Sequence, residues 1–108
     1  MIFYGAGLFW SLQVTDIAYF YSENKITFAV TQKGQEHIIN LALKKLMELL
    51  DPEQFFRANR QIIISIASID HAEPYFNGKI VVSVLPPYKA QITISEEKLS
   101  SFKLWLNY

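Results

Sequence analysis

The stretch that decides the fold covers residues 55–64 and reads Phe55-Phe56-Arg57-Ala58-Asn59-Arg60-Gln61-Ile62-Ile63-Ile64. It holds both arginines of the chain, between an aromatic pair and an aliphatic run that is typical of a buried strand. The planar fork of an arginine fits guanine edges and phosphates better than the point charge of a lysine does. Two interpretations remain open for each arginine: it is presented to a partner, or it is structural, either buried behind the phenylalanines or paired with an acid.

Length and composition place the chain among globular proteins of one domain. It has 108 residues, 51% of them hydrophobic, no cysteine, and equal numbers of acidic and basic side chains. The lack of cysteine excludes disulfides and thiolate metal sites and is compatible with a cytoplasmic location. Because the formal net charge is zero, any binding of nucleic acid has to depend on a local basic patch.

The sequence contains no pattern typical of a membrane anchor or a secretory signal. No apolar run approaches the roughly 20 residues that a membrane span requires, so this segment is expected to make no membrane contact. The first seven residues lack the basic region that precedes the apolar core of a signal peptide. A strand predicted this close to Met1 indicates that residues 1–108 form a single domain cut from a longer protein.

Strand patterns dominate the chain and predict a mainly β fold. Alternating or continuous apolar residues predict strands at 2–4, 8–14, 16–21, 26–30, 36–39, 61–69, 79–85 and 90–94. The pattern of residues 61–69 predicts one or two strands, broken near Ser65. Turns are predicted at residues 22–25 and 32–35, and Asn77-Gly78 is the strongest short hairpin signal.

Helical periodicity replaces the strand pattern in two places. Apolar residues recur at helical spacing over about residues 40–50, with Asn40 as the predicted N-cap. A C-terminal helix is predicted at about residues 95–106, with Ser95 as its N-cap and acidic side chains in its first turn. Each apolar stripe is expected to pack against a sheet.

Patterns that would indicate catalysis or metal binding are missing. His37 and His71 lie far apart in the sequence, and both are expected at the surface or in turns rather than on a metal ion. Glu96 and Glu97 are neighbours on a predicted helix, so their carboxylates do not converge on one point. The sequence therefore predicts a protein that is not an enzyme and holds no cofactor and no metal.

Three separated segments of the chain resemble the LytTR DNA-binding domain, the output module of many bacterial two-component response regulators. Residues 51–65 resemble the central family motif, in which arginines precede three aliphatic residues and an asparagine or serine. Residues 16–25 resemble the start of the family pattern, and residues 69–80 together with 92–95 resemble its end. The resemblance implies elongated antiparallel β-sheets in a barrel-like sandwich with short helices, which binds DNA through loops that reach successive major grooves.

The resemblance also implies roles for residues in three loops. The base-contacting position of the family falls on Arg60, and its neighbours are expected to contact bases or phosphates. Further contacts are expected at the turn that follows residue 22 and at the segment after the last strand. The candidate DNA-binding residues are Asn24, Lys25, Asn59, Arg60, Gln61, Ser95 and Lys98.

At the third loop the chain departs from the family pattern. The family commonly has an arginine where this chain has Glu96, and Glu97 follows it. Carboxylates are repelled by phosphates, although one can accept a hydrogen bond from a cytosine amino group, and Lys98 partly compensates. The alternative function is therefore a LytTR-like module with weak or no DNA binding that acts through protein contacts.

Family resemblance implies the partners as well. These are double-stranded DNA, an N-terminal receiver or sensor domain outside this chain, and a second copy of the domain on repeated half-sites. The location implied for such a regulator is the bacterial cytoplasm.

Overall fold

The computed structural model describes residues 2–4 and 11–107, and its principal extents are 44 × 25 × 24 Å. Ten strands and two α-helices are present in this described part of the chain. The strands are β1 (Ile2–Tyr4), β2 (Ser11–Gln13), β3 (Ile17–Glu23), β4 (Ile26–Thr31), β5 (Glu36–Ile39), β6 (Phe55–Arg57), β7 (Ile62–Ser65), β8 (Ile69–Pro74), β9 (Ile80–Val84) and β10 (Ile92–Ile94). The helices are α1 (Leu43–Leu49) and α2 (Leu99–Leu106). The elongated, mainly β fold is confirmed.

All the strands pair antiparallel, in three sheets. The largest sheet has five strands in the order β5-β4-β3-β7-β6, with β3 at its centre. A three-stranded sheet has the order β10-β9-β8, and β1 pairs with β2 in a separate hairpin. After the β1–β2 hairpin, the chain forms the five-stranded sheet and then the three-stranded sheet.

Two apolar cores cover the two faces of the five-stranded sheet. Alternate residues of β7 belong to different cores, since Ile62 and Ile64 lie in one and Ile63 in the other. The first core joins β7 to the three-stranded sheet and to Phe102 of α2. The second core joins it to α1 and to Phe3 of β1. Because both faces are buried, the strand reads as an unbroken aliphatic run.

The predicted break near Ser65 is confirmed. A single turn of 3-10 helix covers Ile66–Ser68 and separates β7 from β8. The amide of Ser68 donates to Ser65 Oγ at 3.2 Å, and the hydroxyl of Ser68 donates to the Ser65 carbonyl at 2.8 Å. This reciprocal pair closes the turn and fixes the point at which the chain leaves the large sheet.

The hairpin predicted at Asn77-Gly78 is also confirmed. Both residues have positive φ, 55° and 72°, in the connection between β8 and β9. Glycine is favoured at position 78 by its backbone conformation, while a Cβ atom there would lie 3.0 Å from the Cδ atom of the Glu96 side chain.

Both predicted helix starts are corrected. Helix α1 begins at Leu43, and its N-cap is Ala42 with an extended backbone, so Asn40 lies outside the helix and does not cap it. Helix α2 begins at Leu99, after a 3-10 turn at Glu96–Lys98. Ser95 does occupy the N-cap position of that 3-10 turn, but its side chain makes no capping hydrogen bond. After β5 the chain stays extended longer than the capping signal indicates, whereas after β10 it turns directly at Glu96, but as a 3-10 turn before the α-helix begins.

Several predicted strand bounds also differ from the structure. The strand predicted at 8–14 is found at Ser11–Gln13, while residues 8–10 lie outside the described residues, as does the glycine pair at positions 5 and 7. Strand β3 continues to Glu23, into the segment predicted as a turn. Strand β6 is absent from the sequence prediction, because three residues that end in an arginine are too short to show a period.

A tyrosine cluster holds the loop between β9 and β10 against the first core. The hydroxyl of Tyr19 donates to the Pro87 carbonyl at 3.2 Å, and the hydroxyl of Tyr21 donates to a Glu36 carboxylate oxygen at 2.6 Å. Burial, with smaller contributions from Glu36 and Tyr88, raises the pKa of the Tyr19 hydroxyl to about 12. Burial and the Glu36 carboxylate also raise the pKa of the Tyr21 hydroxyl.

These raised pKa values predict a loss of stability in alkali. The contribution of Tyr19 is complete below about pH 10 and is lost as pH rises from there toward 12, by about 1.4 kcal/mol per pH unit. Replacing Tyr19 by Phe should cost about 1 kcal/mol near pH 8, because the hydrogen bond is removed, and should flatten the alkaline decline. Urea unfolding of both proteins between pH 8 and 12 measures this, and a difference that stays constant across the range would contradict it.

Candidate functional site

Three connections meet at one end of the five-stranded sheet. The β3–β4 turn at Asn24-Lys25 and the β6–β7 loop at residues 58–61 are adjacent because β3 and β7 are paired, and the Ser22 amide donates to the Gln61 carbonyl at 2.8 Å. The β5–α1 connection at residues 40–42 joins them because β5 pairs with β4. Segments far apart in the sequence are thereby brought together.

A groove of about 530 Å³ lies between these connections. It is open to solvent, and its lining residues include Lys25, Lys44, Arg57 and Arg60 but no aspartate or glutamate. The remaining lining residues are Ser22, Ile26, Thr27, Ile38, Ile39, Asn40, Leu41, Ala42 and Leu43. A chain of zero net charge thus concentrates four cations around one concave surface, which favours an anionic ligand.

Arg60 is the exposed cation of the β6–β7 loop. Its guanidinium makes no hydrogen bond or ion pair with any residue in the described part of the chain. The structural interpretation of Arg60, as an arginine buried behind the phenylalanines or paired with an acid, is therefore wrong. Its donors are free to bind a ligand in the groove.

Arg57, unlike Arg60, is half-buried, and it lies at the end of β6. Its Nε donates to the Asn59 carbonyl at 3.3 Å, and its Nη2 donates to the Arg60 carbonyl at 3.1 Å. For this arginine the structural interpretation holds, although the partners are backbone carbonyls and not an acid.

The side chains on either side of Arg60 differ in their hydrogen bonding within the protein. The Asn59 side chain is used within the protein, since its Oδ1 accepts from the Gln61 amide at 2.8 Å and its Nδ2 donates to the Thr93 carbonyl at 3.4 Å. The Gln61 side chain is exposed. Of the three residues expected to contact DNA in this loop, Arg60 and Gln61 present free side chains, whereas the Asn59 side chain shapes the loop.

The other predicted loop, Asn24-Lys25, is a tight turn of two residues between β3 and β4. Both residues have positive φ, 52° and 64°, and both are exposed. Hairpin turns of this geometry usually have glycine at the second position, because a lysine is conformationally strained there. The turn places Lys25 in the lining of the groove at the expense of stability.

Ser95 and Lys98 are not part of the groove. Ser95 is exposed directly after β10, and the Lys98 ammonium donates to the Arg57 carbonyl at 3.0 Å. Lys98 lines a different depression, beside Trp105 and Phe56. The structure therefore brings together Lys25, Arg60 and their neighbours but leaves the third predicted segment apart.

The acidic pair after β10 lies outside the groove. Glu96 and Glu97 are exposed, and the Glu96 side chain lies against Gly78 in the β8–β9 turn. Near them the ring of Phe76 is 71% exposed and that of Tyr75 is 41% exposed. This end of the smaller sheet has an acidic and aromatic surface, unlike the basic groove.

Two groove residues, Lys44 and Asn40, are missed by the sequence patterns. Those patterns assign Asn40 to a helix cap and Lys44 to the solvent face of a helix packed on the sheet. Their proximity to Arg60 follows from the pairing of β5 with β4 and of β3 with β7, which no local pattern encodes. The one local signal is the density of lysine at positions 44 and 45.

Neither histidine forms part of a metal site. His71 is exposed with its Nδ1 2.8 Å from the Asp70 carboxylate, and His37 is half-buried in β5. Within residues 2–4 and 11–107, no group of three or more His, Asp or Glu side chains is placed to hold a metal ion. Within the same ranges, neither α-helix has the length and apolar character needed to cross a membrane.

Comparison with known proteins gives consistent matches. Residues 8–107 match the family model described as the LytTr DNA-binding domain. An uncharacterized response regulatory protein of Vibrio cholerae serotype O1 is 27% identical in an alignment of 96 positions that covers 86% of this chain and 36% of that protein. The chain therefore spans about a third of the length of this curated relative.

A solved structure has the same fold. It is the LytTr DNA-binding domain of a protein described as a methyl-accepting/DNA response regulator from Bacillus cereus. The two superpose with a TM-score of 0.81 at 16% identity, over 100% of this chain and 96% of that chain. At this identity the likeness establishes the fold.

The positive φ of Lys25 gives a prediction about stability. Replacing Lys25 by Gly should raise the free energy of unfolding by roughly 0.5–1 kcal/mol, because glycine adopts this conformation without strain. Chemical denaturation measures the change, and Lys33→Gly, in the turn at the other end of β4, is the comparison at a site where no such strain is relieved. A Lys25→Gly protein less stable than wild type would contradict the prediction.

Proposed function

Because the chain belongs to the LytTr DNA-binding domain family, we propose that it binds double-stranded DNA as the output domain of a transcriptional response regulator. The observation that carries the proposal is the exposed guanidinium of Arg60 in a groove lined by cations and by no acid. Double-stranded DNA is a dense linear anion, so such a groove gives sequence-independent attraction. Arg60 adds a group suited to the major-groove edge of guanine.

In this proposal the contacts divide by chemistry. Arg60 and Gln61 present free side chains and read base edges, whereas Lys25 and Lys44 contact phosphates. The β6–β7 loop and the β3–β4 turn enter the major groove, and the segment at Ser95 approaches the next groove along the duplex. Two copies on repeated half-sites extend the contact.

The regulatory setting is inferred from the relatives. The relative from Vibrio cholerae is named as a response regulatory protein, and this chain matches 36% of its length. We infer that the chain works in the cytoplasm together with a receiver or sensor domain in the same protein, which controls when the DNA-binding domain acts.

A second candidate function is binding of a protein by a module with weak DNA affinity. The acidic and aromatic surface formed by Glu96, Glu97, Tyr75 and Phe76 favours it. Selection from a random-sequence duplex pool at low salt separates the two functions. Recovery of an enriched motif by the wild-type domain supports the first, whereas recovery only after Glu96→Arg supports the second.

The role of Arg60 predicts a loss of specific binding. Replacing Arg60 by Ala should cost about 1–3 kcal/mol on the selected site and should relax the preference for one base pair. Arg60→Lys keeps the charge but loses the planar fork, so it should lose the base preference while keeping affinity for scrambled duplex. Fluorescence-anisotropy titrations measure both, and an Arg60→Ala protein that binds the selected site as wild type does would exclude this role.

Lysines at the groove predict the salt dependence of binding. Replacing Lys25 or Lys44 by Ala should weaken binding to every sequence and should reduce the slope of log K against log salt by about 0.9 for each phosphate that is no longer neutralised. Lys33→Ala is the matched control, because Lys33 lies in the turn at the opposite end of β4. Equal slopes for all three variants would show that the groove lysines do not contact DNA.

A further inference from the structure

We propose that Arg57 is a positioning residue that holds the β6–β7 loop in the conformation from which Arg60 reaches its ligand. The inference rests on the proposed function, because it assigns to Arg57 the shape of the same binding loop. The two arginines of the chain thus have different roles: Arg60 contacts the ligand, and Arg57 fixes the backbone that carries Arg60.

The guanidinium of Arg57 spans the loop from inside. Its Nε and Nη2 donate to two carbonyls, those of Asn59 and Arg60, at 3.3 and 3.1 Å. The fixed angle between these donors matches the separation of the two acceptors, so a single rigid group sets the direction of two successive peptide units. A lysine ammonium at this position offers one point and cannot hold both carbonyls with the same geometry.

The Asn59 amide braces the loop from its other side. Its Oδ1 accepts from the Gln61 amide at 2.8 Å, and its Nδ2 donates to the Thr93 carbonyl of β10 at 3.4 Å. At the base of the loop the Ala58 amide donates to the Ile62 carbonyl at 3.0 Å. Backbone groups on both sides of Arg60 are thereby held, while the Arg60 side chain stays free.

A third contact fixes Arg57 itself. The Lys98 ammonium donates to the Arg57 carbonyl at 3.0 Å, which ties the turn before α2 to the end of β6. Lys98 thus acts on the loop through Arg57 and not through the groove. Asn59 and Lys98, both predicted from the sequence as DNA contacts, thus have polar atoms engaged within the protein.

The experiment compares Arg57→Lys, which keeps the charge, with Arg60→Lys as the matched variant of the contacting arginine. Two measurements are made on the intact domain. Amide hydrogen exchange without DNA follows Ala58 and Gln61, whose amides close the loop, with the Ile66 amide at the other end of β7 as the internal reference. Anisotropy titration follows binding to the selected duplex and to a scrambled duplex.

The expected result is that Arg57→Lys speeds exchange at Gln61 by about tenfold, with Ile66 unchanged, and weakens binding to the selected duplex by about tenfold. Affinity for scrambled duplex should stay within about twofold of wild type, because the charge is kept. Arg60→Lys should lose selective binding with no change in exchange at Gln61.

Two results would overturn the proposal. One is unchanged exchange at Gln61 in Arg57→Lys. The other is an Arg57→Ala protein with ordered loop amides whose affinity falls equally for both duplexes with a shallower salt slope, since that is the behaviour of a phosphate contact.

Failure of the proposed function gives a different outcome. In that case the wild-type domain shows no selective binding to any duplex, while exchange at Gln61 still reports whether Arg57 orders the loop. Lys98→Met provides the second variant, since it removes the contact to the Arg57 carbonyl and leaves both arginines in place. Its exchange at Gln61 should rise in the same direction as in Arg57→Lys.

Discussion

Burial of β7 on both faces is the constraint on which the other features of this domain depend. Its three isoleucines are inaccessible to solvent, and they alternate between two cores that hold α1 on one side and the three-stranded sheet on the other. A strand that is apolar on both faces does not specify its own register, because a slip of one residue still buries isoleucine. The register has to be fixed at the ends of the strand. At one end this is done by the serine pair at Ser65 and Ser68, and at the other by the loop that carries Arg60.

The conformation of the β6–β7 loop and the packing of the core are therefore coupled. The hydrogen bonds made by Arg57 and Asn59 close the β6–β7 connection in the same way that the serine pair closes the far end. A loop that must be rigid to align β7 is also rigid enough to present a side chain in one direction. A preformed geometry of this kind is what the proposed recognition of base edges requires.

Much of the fold can be read from the sequence, and the site only in part. Isoleucine runs, the Asn77-Gly78 pair and the helical stripes are local patterns, and each predicts an element in nearly the right place. The start of α1 is misplaced because Asn40 has the chemistry of a cap but sits in a stretch that remains extended after β5. The sequence does not show that the Arg57 guanidinium bonds the loop backbone while that of Arg60 is exposed, because this difference depends on which way each side chain faces from a loop closed by Asn59. Lys44 reaches the groove only through strand pairings between distant segments.

The free side chains of Arg60 and Gln61 have a consequence for divergence among relatives. Neither makes a hydrogen bond or ion pair within the described chain, so neither is needed for the alignment of β7 or the packing of the two cores. In the function proposed above, substitutions at these two positions change the preferred operator sequence without weakening the fold. Substitutions at Arg57 or Asn59 instead remove hydrogen bonds that hold the β6–β7 loop. The residues that hold the loop are therefore different from the residues that it presents to solvent.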